Sequence, residues 1–457
     1  MNSHMFVNRE KEIERLQNAF VKEKPQLIVV YGRRRCGKST LLHRVLPPHA
    51  LYFSADLREP PLQILALAKQ VDALAPGFSR PVYPDWESLF HSLNSVLKSR
   101  TIICIDEFPY LVKNSPELPS ILQKITEESD KRNFHLILCG SSQQMMYSMV
   151  LDSSSPLYGR CDEIIRVKPM GIKEMHTFLS LRPEEAVMEY GAWGGVPRYW
   201  EIRKEYKDFT EAVKKSILDQ NGILYEEPER LFSDEMRTSV QAFSVMSLIG
   251  SGVHKPSEIA RRLGKPVTQL SRLFGFLINQ GYIRREVPFG ESGRSAKRSL
   301  YKIDDPFLNF YFNFLIPNKS RLESGMIEEV WQGIDAKYNS YLSGLWEDLC
   351  RKMIHEMVID GKKFNPASRW WGTGTDKKAM EIDLLSESLD RSSLLVGEVK
   401  WSDKVPVGEL ASSIDSKIAA FPFVESKSVI KALFLKERPG KALPGFHVFT
   451  PSDMLAR

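Results

Sequence analysis

No stretch of the 457-residue chain has the roughly 18–20 consecutive apolar residues that a membrane-crossing helix needs, so no membrane partner is expected. The amino terminus lacks the basic-then-apolar pattern of a secretory signal, and Met1–His4, ahead of a second methionine Met5, read as a remnant of expression. Cysteine is scarce. Cys36, Cys104, Cys139, Cys161 and Cys350 are scattered, with no C-x-x-C pair and no clustered histidines, which argues against a zinc site and a disulfide framework. A large excess of one charge is also missing: 63 Lys and Arg against 57 Asp and Glu leave +6, a mild hint of an acidic partner such as nucleic acid. What is there, 42% hydrophobic and 26% charged residues, is the balance of a globular protein. Its length divides into about two to four domains. Composition thus points to a cytoplasmic, multidomain protein.

Gln26 to Tyr31 read as a short buried strand that runs into Gly32-Arg33-Arg34-Arg35-Cys36-Gly37-Lys38-Ser39 and then Thr40-Leu41-Leu42, a helical start. This is the GxxxxGK[ST] pattern in its required context of strand, loop and helix. Backbone amides must wrap phosphate oxygens at a helix N-terminus, where orphan N–H groups and the dipole favour negative charge. Gly32, Arg33, Cys36, Gly37, Lys38, Ser39 and Thr40 are therefore the candidate ATP contacts, with Lys38 reaching the β- and γ-phosphates and Ser39 a ligand of Mg²⁺. Thr101 to Ile105 form a second apolar strand ending in Asp106-Glu107. Asp106 is placed to hold the Mg²⁺ shell and Glu107 to polarise the attacking water.

A third strand, His135 to Cys139, ends in Gly140-Ser141-Ser142, where a serine either contacts the γ-phosphate or the lytic water, or caps the helix beginning near Gln143. Arg160, after the turn Ser155 to Gly159, is either an arginine finger, acting in its own subunit or on a neighbour in a homo-oligomer, or a structural arginine. Together with Phe6-Val7-Asn8-Arg9-Glu10, Leu157-Tyr158-Gly159-Arg160 and Gly194-Gly195-Val196-Pro197, these motifs resemble the archaeal-type ATPase family within the AAA-like and STAND P-loop group. The likeness covers roughly residues 5 to 235. It implies that the GGxP segment belongs to a helical lid with Pro197 near the adenine. The bare residues also allow Gly194-Gly195 to end one helix and Pro197 to start the next. Cys36 departs from the small aliphatic residue usual in that family.

Three amphipathic stretches follow, roughly 238–249, 255–263 and 267–280, then a strand over 282–287, a loop over 290–298 and a returning strand over 299–303. Three helices and a hairpin in that order are those of a winged helix-turn-helix. Such a module would expose Thr268, Gln269, Ser271 and Arg272 to a DNA major groove and offer Arg294, Lys297 and Arg298 to phosphates. Many modules of this fold contact only proteins or their own ATPase core.

After a connecting region to about residue 340, Tyr341 to Ile359 read as a helix carrying Glu347. Two strands then hold Asp383 and the pair Glu398 and Lys400. Side chains alternate along a strand, so Glu398 and Lys400 share a face that Asp383 can join from the neighbouring strand. Two carboxylates with a lysine suit phosphodiester hydrolysis, the acids holding Mg²⁺ and the lysine orienting water. The pattern resembles the PD-(D/E)xK restriction-endonuclease-like superfamily, some of whose members use an extra acid at the place of Glu347. The other reading is a salt-bridge cluster in a fold that no longer cleaves. The expected architecture is α/β throughout: a P-loop NTPase core (5–165), a helical lid (166–235), a winged helix-turn-helix (236–315) and a nuclease-like domain (341–457).

Overall fold

The computed structural model describes residues 7–97, 101–127, 132–150, 152–236, 238–291, 298–422 and 427–455. Met1–Phe6, Arg294 and Lys297 lie outside the described residues. Among the described residues no helix is long and apolar enough to cross a membrane. The chain forms two compact units. The first comprises Met1–Met170, Val196–Arg198 and Arg230–Arg237, and the second Gly171–Gly195, Tyr199–Glu229 and Thr238–Arg457. The stretch 166–235 is thus divided between the units.

The first unit is built on a five-stranded sheet of β1 (Leu27–Tyr31), β2 (Leu51–Ser54), β3 (Thr101–Asp106), β4 (Phe134–Gly140) and β5 (Glu163–Arg166), ordered β2-β3-β4-β1-β5. Every neighbouring pair is parallel. Helices must cross over between parallel strands and cover the sheet, so central strands are apolar on both sides. β1 and β4 are buried at every residue, as their continuous Leu-, Ile- and Val-rich runs require. Leu27, Val29, Leu136 and Leu138 pack with Leu67, Phe90, Leu93 and Leu122 in one core.

In the second unit the helices Ser239–Gly250, Pro256–Arg262 and Val267–Gln280 precede an antiparallel hairpin of β6 (Ile283–Glu286) and β7 (Leu300–Ile303), close to the expected bounds. Thr268, Gln269, Ser271 and Arg272 are exposed on the third helix. Arg298 is exposed, and its guanidinium pairs with Glu291 at 2.6 Å and donates to the Trp371 carbonyl. The expected helix 341–359 is corrected at both ends. It runs 27 residues, Ile327–Met353, and its buried Val330, Trp331, Ile334, Tyr338, Leu342, Leu345 and Leu349 keep helical spacing throughout. Position 341 therefore falls inside a helix. Past a small hairpin of β8 (Val358–Ile359) and β9 (Lys362–Lys363) comes a second five-stranded sheet: β10 (Ser368–Thr373), β11 (Ala379–Glu387), β12 (Ser393–Lys400), β13 (Ser428–Leu435) and β14 (Phe446–Phe449), in sequential order. β10, β11 and β12 run antiparallel. The helix Val407–Ala420 then turns β13 and β14 parallel to β12.

Leu138 is fully buried in β4, between the two strands that carry the loop and the acidic pair. Leu138→Ala is expected to cost the first unit about 2–5 kcal/mol, read as a lowered denaturant midpoint.

Candidate functional site

β1 ends at Tyr31 and the chain turns through Gly32 to Gly37 into the helix Lys38–Val45. Two glycines have specific reasons. A Cβ at Gly32 would collide with the carbonyl oxygen of Val167, and Gly37, with φ +86°, occupies the left-handed region that glycine enters without strain. Lys38 Nζ donates to the Gly32 and Arg33 carbonyls at 2.9 and 3.1 Å, so its ammonium lies over the loop. Thr40 sits in the first helical turn, and Cys36 is fully buried. Arg9 buttresses the loop from outside by donating to the carbonyls of Cys36 at 3.3 Å and Lys168 at 2.6 Å. This close, amide-lined turn at a helix N-terminus fits a chain of phosphates.

β4 lies between β1 and β3, so the ends of all three meet at one edge of the sheet. Ser39 Oγ donates to Asp106 Oδ2 at 2.8 Å, the Tyr52 hydroxyl donates to the same oxygen, and the Glu107 amide donates to Oδ1 at 2.9 Å. Burial pushes the Asp106 carboxyl up. Hydrogen bonds from Cys139, Tyr52, Ser39 and the Glu107 amide outweigh it and hold the acid below its usual range. An ionised Asp106 beside the Ser39 hydroxyl is a donor set suited to Mg²⁺. Glu107, with φ +54°, holds a left-handed conformation that costs free energy for a non-glycine residue. Its carboxylate accepts from Ser141 Oγ at 2.9 Å, which joins the end of β3 to the end of β4.

Three further residues at this edge were not legible as site residues in the sequence. Tyr52 reaches Asp106 from β2. Arg166, at the end of β5, donates to Gln143 Oε1 at 3.2 Å. Glu235, 5% exposed, accepts from the Gln143 amide at 3.1 Å. Burial pushes the Glu235 carboxyl up to about 7, against the Gln144 and Gln143 amides and the Lys38 and Arg33 cations, which favour the charged form. No local motif announces these residues. A buried acid beside a P-loop is visible only once the chain is folded.

Arg160 does not join them. It precedes β5, whereas the loop follows β1, and Ile28 of β1 pairs with Glu163 of β5. Arg160 therefore belongs to the opposite end of the sheet, more than about 13 Å away along four residues of strand. There its guanidinium pairs with Glu127 at 2.6 Å, which corrects the expectation of a finger on its own subunit's nucleotide. Gly194 caps the helix Pro183–Trp193 and Pro197 opens the helix Pro197–Lys204, while Val196–Arg198 group with the first unit.

In the second sheet Leu384 pairs with Gly397. Continuing that antiparallel register sets Asp383 opposite Glu398 on one face. Lys400 Nζ lies 3.2 Å from Asp383 Oδ2 and 3.3 Å from Glu398 Oε2, and the Val399 amide donates to Asp383 at 3.1 Å. The expected triad is therefore assembled. Burial would lower the Lys400 ammonium, but Asp383 and Glu398 reverse this and raise it. Burial, then Asp383, push the Glu398 carboxyl up. Lys417, unforeseen, pairs with the other Glu398 oxygen. Glu347 pairs with Arg351 at 3.4 Å, and Arg351 donates to the Asp383 carbonyl at 2.7 Å. Among the described residues no group of three or more His, Cys, Asp or Glu is arranged to hold a metal ion. A metal here would have Asp383 and Glu398, both already paired with lysine, as its carboxylate ligands.

Residues 6–201 match the ATPase domain found predominantly in Archaea, and residues 311–413 match a family of archaeal and bacterial proteins of unknown function. An uncharacterised protein of Methanocaldococcus jannaschii is 33% identical over 407 residues, 87% of this chain and 88% of that protein. An uncharacterised ATP-binding protein of the same organism is 48% identical over 42 residues, 9% of this chain and 71% of that protein. The solved Walker-type ATPase of Pyrococcus abyssi shares the fold with TM-score 0.52 at 21% identity, over 67% of this chain and 96% of its own.

Gly32→Ala is expected to weaken ATP binding about tenfold or more, because the loop must move away from Val167; fluorescent-nucleotide titration reads this. Glu235 generates a pH prediction. A carboxyl raised from 4.5 to about 7 costs stability when ionised, so its penalty grows as pH rises from 4.5 to about 7 and is constant above. Glu235→Gln should gain on wild type by on the order of 2 kcal/mol between about pH 5 and about pH 8 in denaturant titrations.

Proposed function

We propose, for a chain that belongs to the family of its Methanocaldococcus jannaschii relative and carries an ATPase domain of the kind found predominantly in Archaea, that it binds and hydrolyses ATP with Mg²⁺ at Gly32–Ser39 and uses nucleotide state to control its second unit. The observation that carries the reading is the meeting of Lys38, Ser39, Asp106 and Glu107 at one sheet edge, with Glu107 held by Ser141. The loop amides, with Arg33, Cys36, Lys38 and Thr40, would hold the phosphates, and Ser39 and Asp106 the metal. When bound, Mg²⁺ offsets the charge that develops on the transferred phosphoryl group. Glu107, oriented by Ser141, polarises the attacking water as general base. Pro197 would lie beside the adenine, which its grouping with the first unit supports. Arg160 keeps a role in hydrolysis only on a neighbouring copy in a homo-oligomer.

In the second unit, we read the three helices and the β6–β7 hairpin as a winged helix-turn-helix that binds DNA through Thr268, Gln269, Ser271 and Arg272. Asp383, Glu398 and Lys400 sharing one face supports a Mg²⁺-dependent nuclease site. One observation favours a second reading, in which this domain is catalytically inert and the chain is an ATP-switched regulator that binds DNA or protein. Lys417 takes the remaining oxygen of Glu398, the same carboxylate a metal would need.

Two measurements separate these readings. ATP turnover should fall about a hundredfold or more in Lys38→Ala, and unaltered turnover would end the ATPase reading. Cleavage of plasmid and single-stranded DNA with Mg²⁺ or Mn²⁺, with and without ATP, should be lost in Lys400→Ala. No cutting by wild type under any condition, with turnover intact, selects the inert domain.

A further inference from the structure

The helix Glu227–Glu235 is divided between the units, Glu227–Glu229 grouping with the second and the remainder with the first. Its opening turn is fixed within the second unit. Glu227 accepts from the Tyr199 hydroxyl at 3.0 Å, and Glu229 accepts from Tyr311 at 2.7 Å and pairs with Lys319 at 3.2 Å. Its closing turn is fixed within the first, on the parts that surround the phosphate loop. Asp234 pairs with Arg34 of the loop at 2.7 Å, and Glu235 accepts from the Gln143 amide at 3.1 Å.

The two fastenings differ in kind. The Asp234–Arg34 pair is exposed on both sides, and exposed pairs contribute at most about 1 kcal/mol. Glu235 is buried, and its carboxylate lies in the field of Lys38 and Arg33, two cations of the phosphate loop. A nucleoside triphosphate draws on those same cations, and a second anion in a low-dielectric site is repelled unless it is neutralised or moves. The β4 loop supplies a second route. Ser141 holds the Glu107 carboxylate through its side chain, and two residues later the Gln143 amide holds Glu235. The stretch that orients Glu107 is therefore also the stretch that grips Glu235.

We propose that Glu235 is a nucleotide-responsive clasp, whose carboxylate competes with the triphosphate of ATP for Lys38 and Arg33, so that nucleotide binding loosens Arg230–Met236 from the phosphate loop. Glu235 is a positioning residue here and touches no reacting atom. The inference rests on the ATP-site reading above.

The test combines nucleotide binding with backbone hydrogen exchange on the full chain, using a fluorescent non-hydrolysable ATP analogue. In wild type, saturating analogue should speed exchange across 227–236 severalfold. In Glu235→Gln, which keeps an acceptor for the Gln143 amide but carries no charge, analogue affinity should rise about fivefold or more. The exchange response should shrink in that variant. Asp234→Asn, which removes only the exposed pair, should leave both close to wild type. Analogue that binds wild type while exchange across 227–236 stays unmoved overturns the clasp alone. Unchanged affinity in Glu235→Gln also overturns it. Failure of wild type to bind analogue overturns the ATP-site reading and the clasp together.

Discussion

Because the five strands of the first sheet run parallel, the carboxyl ends of β1, β3, β4 and β5 emerge along one edge, within a few strand spacings of one another. Backbone groups there have no further strand to pair with, and the helices that follow present free amides. The loop after Tyr31, the acids after Ile105 and the serines after Gly140 are neighbours for that reason alone. The strand order adds a finer constraint. With β2 and β4 flanking β3, the end of β3 is reached from both sides: Tyr52 of β2 holds Asp106, and Ser141 after β4 holds Glu107. The same parallelism sends Arg160 to the far edge, however suggestive its sequence neighbourhood.

Buried carboxylates in this chain meet three different fates, and the difference lies in what surrounds them. Asp106 gathers several hydrogen bonds, which stabilise the anion beyond the cost of burial. Glu235 is served by the Gln144 and Gln143 amides and the charges of Lys38 and Arg33, and burial prevails. Glu398 has two lysines but also Asp383 beside it, and the like charge works with burial against ionisation. A carboxylate held firmly charged suits a fixed ligand. One poised near neutrality suits a part that responds to its surroundings.

What could be read in the sequence follows the range of the interactions. The phosphate loop is spelled within eight residues, so its glycines, Lys38 and Ser39 were legible. Strand alternation placed Glu398 and Lys400 on one face, and a short connection brought Asp383 to it. Tyr52, Arg166 and Glu235 meet their partners across tens of residues, and nothing local marks them. The start of the long helix Ile327–Met353 is hard to read because Gly333, Asn339 and Ser340 are residues that usually mark turns. Packing of Trp331, Ile334, Tyr338 and Leu342 overrides those local preferences. How often the chain passes between compact units within 166–235 leaves no mark on the linear sequence.

That passage back and forth has a bearing on modularity. The chain leaves the first unit after Met170, returns for Val196–Arg198, leaves again, and returns for Arg230–Arg237 before entering the second unit for good. A fragment ending at Met170 would contain the whole parallel sheet and the phosphate loop and still lack Glu235 and the partner of Arg34. The unit is therefore not a cassette that recombination or a single cut can transfer intact. Its inheritance is tied to that of the second unit, and the two can be expected to change together.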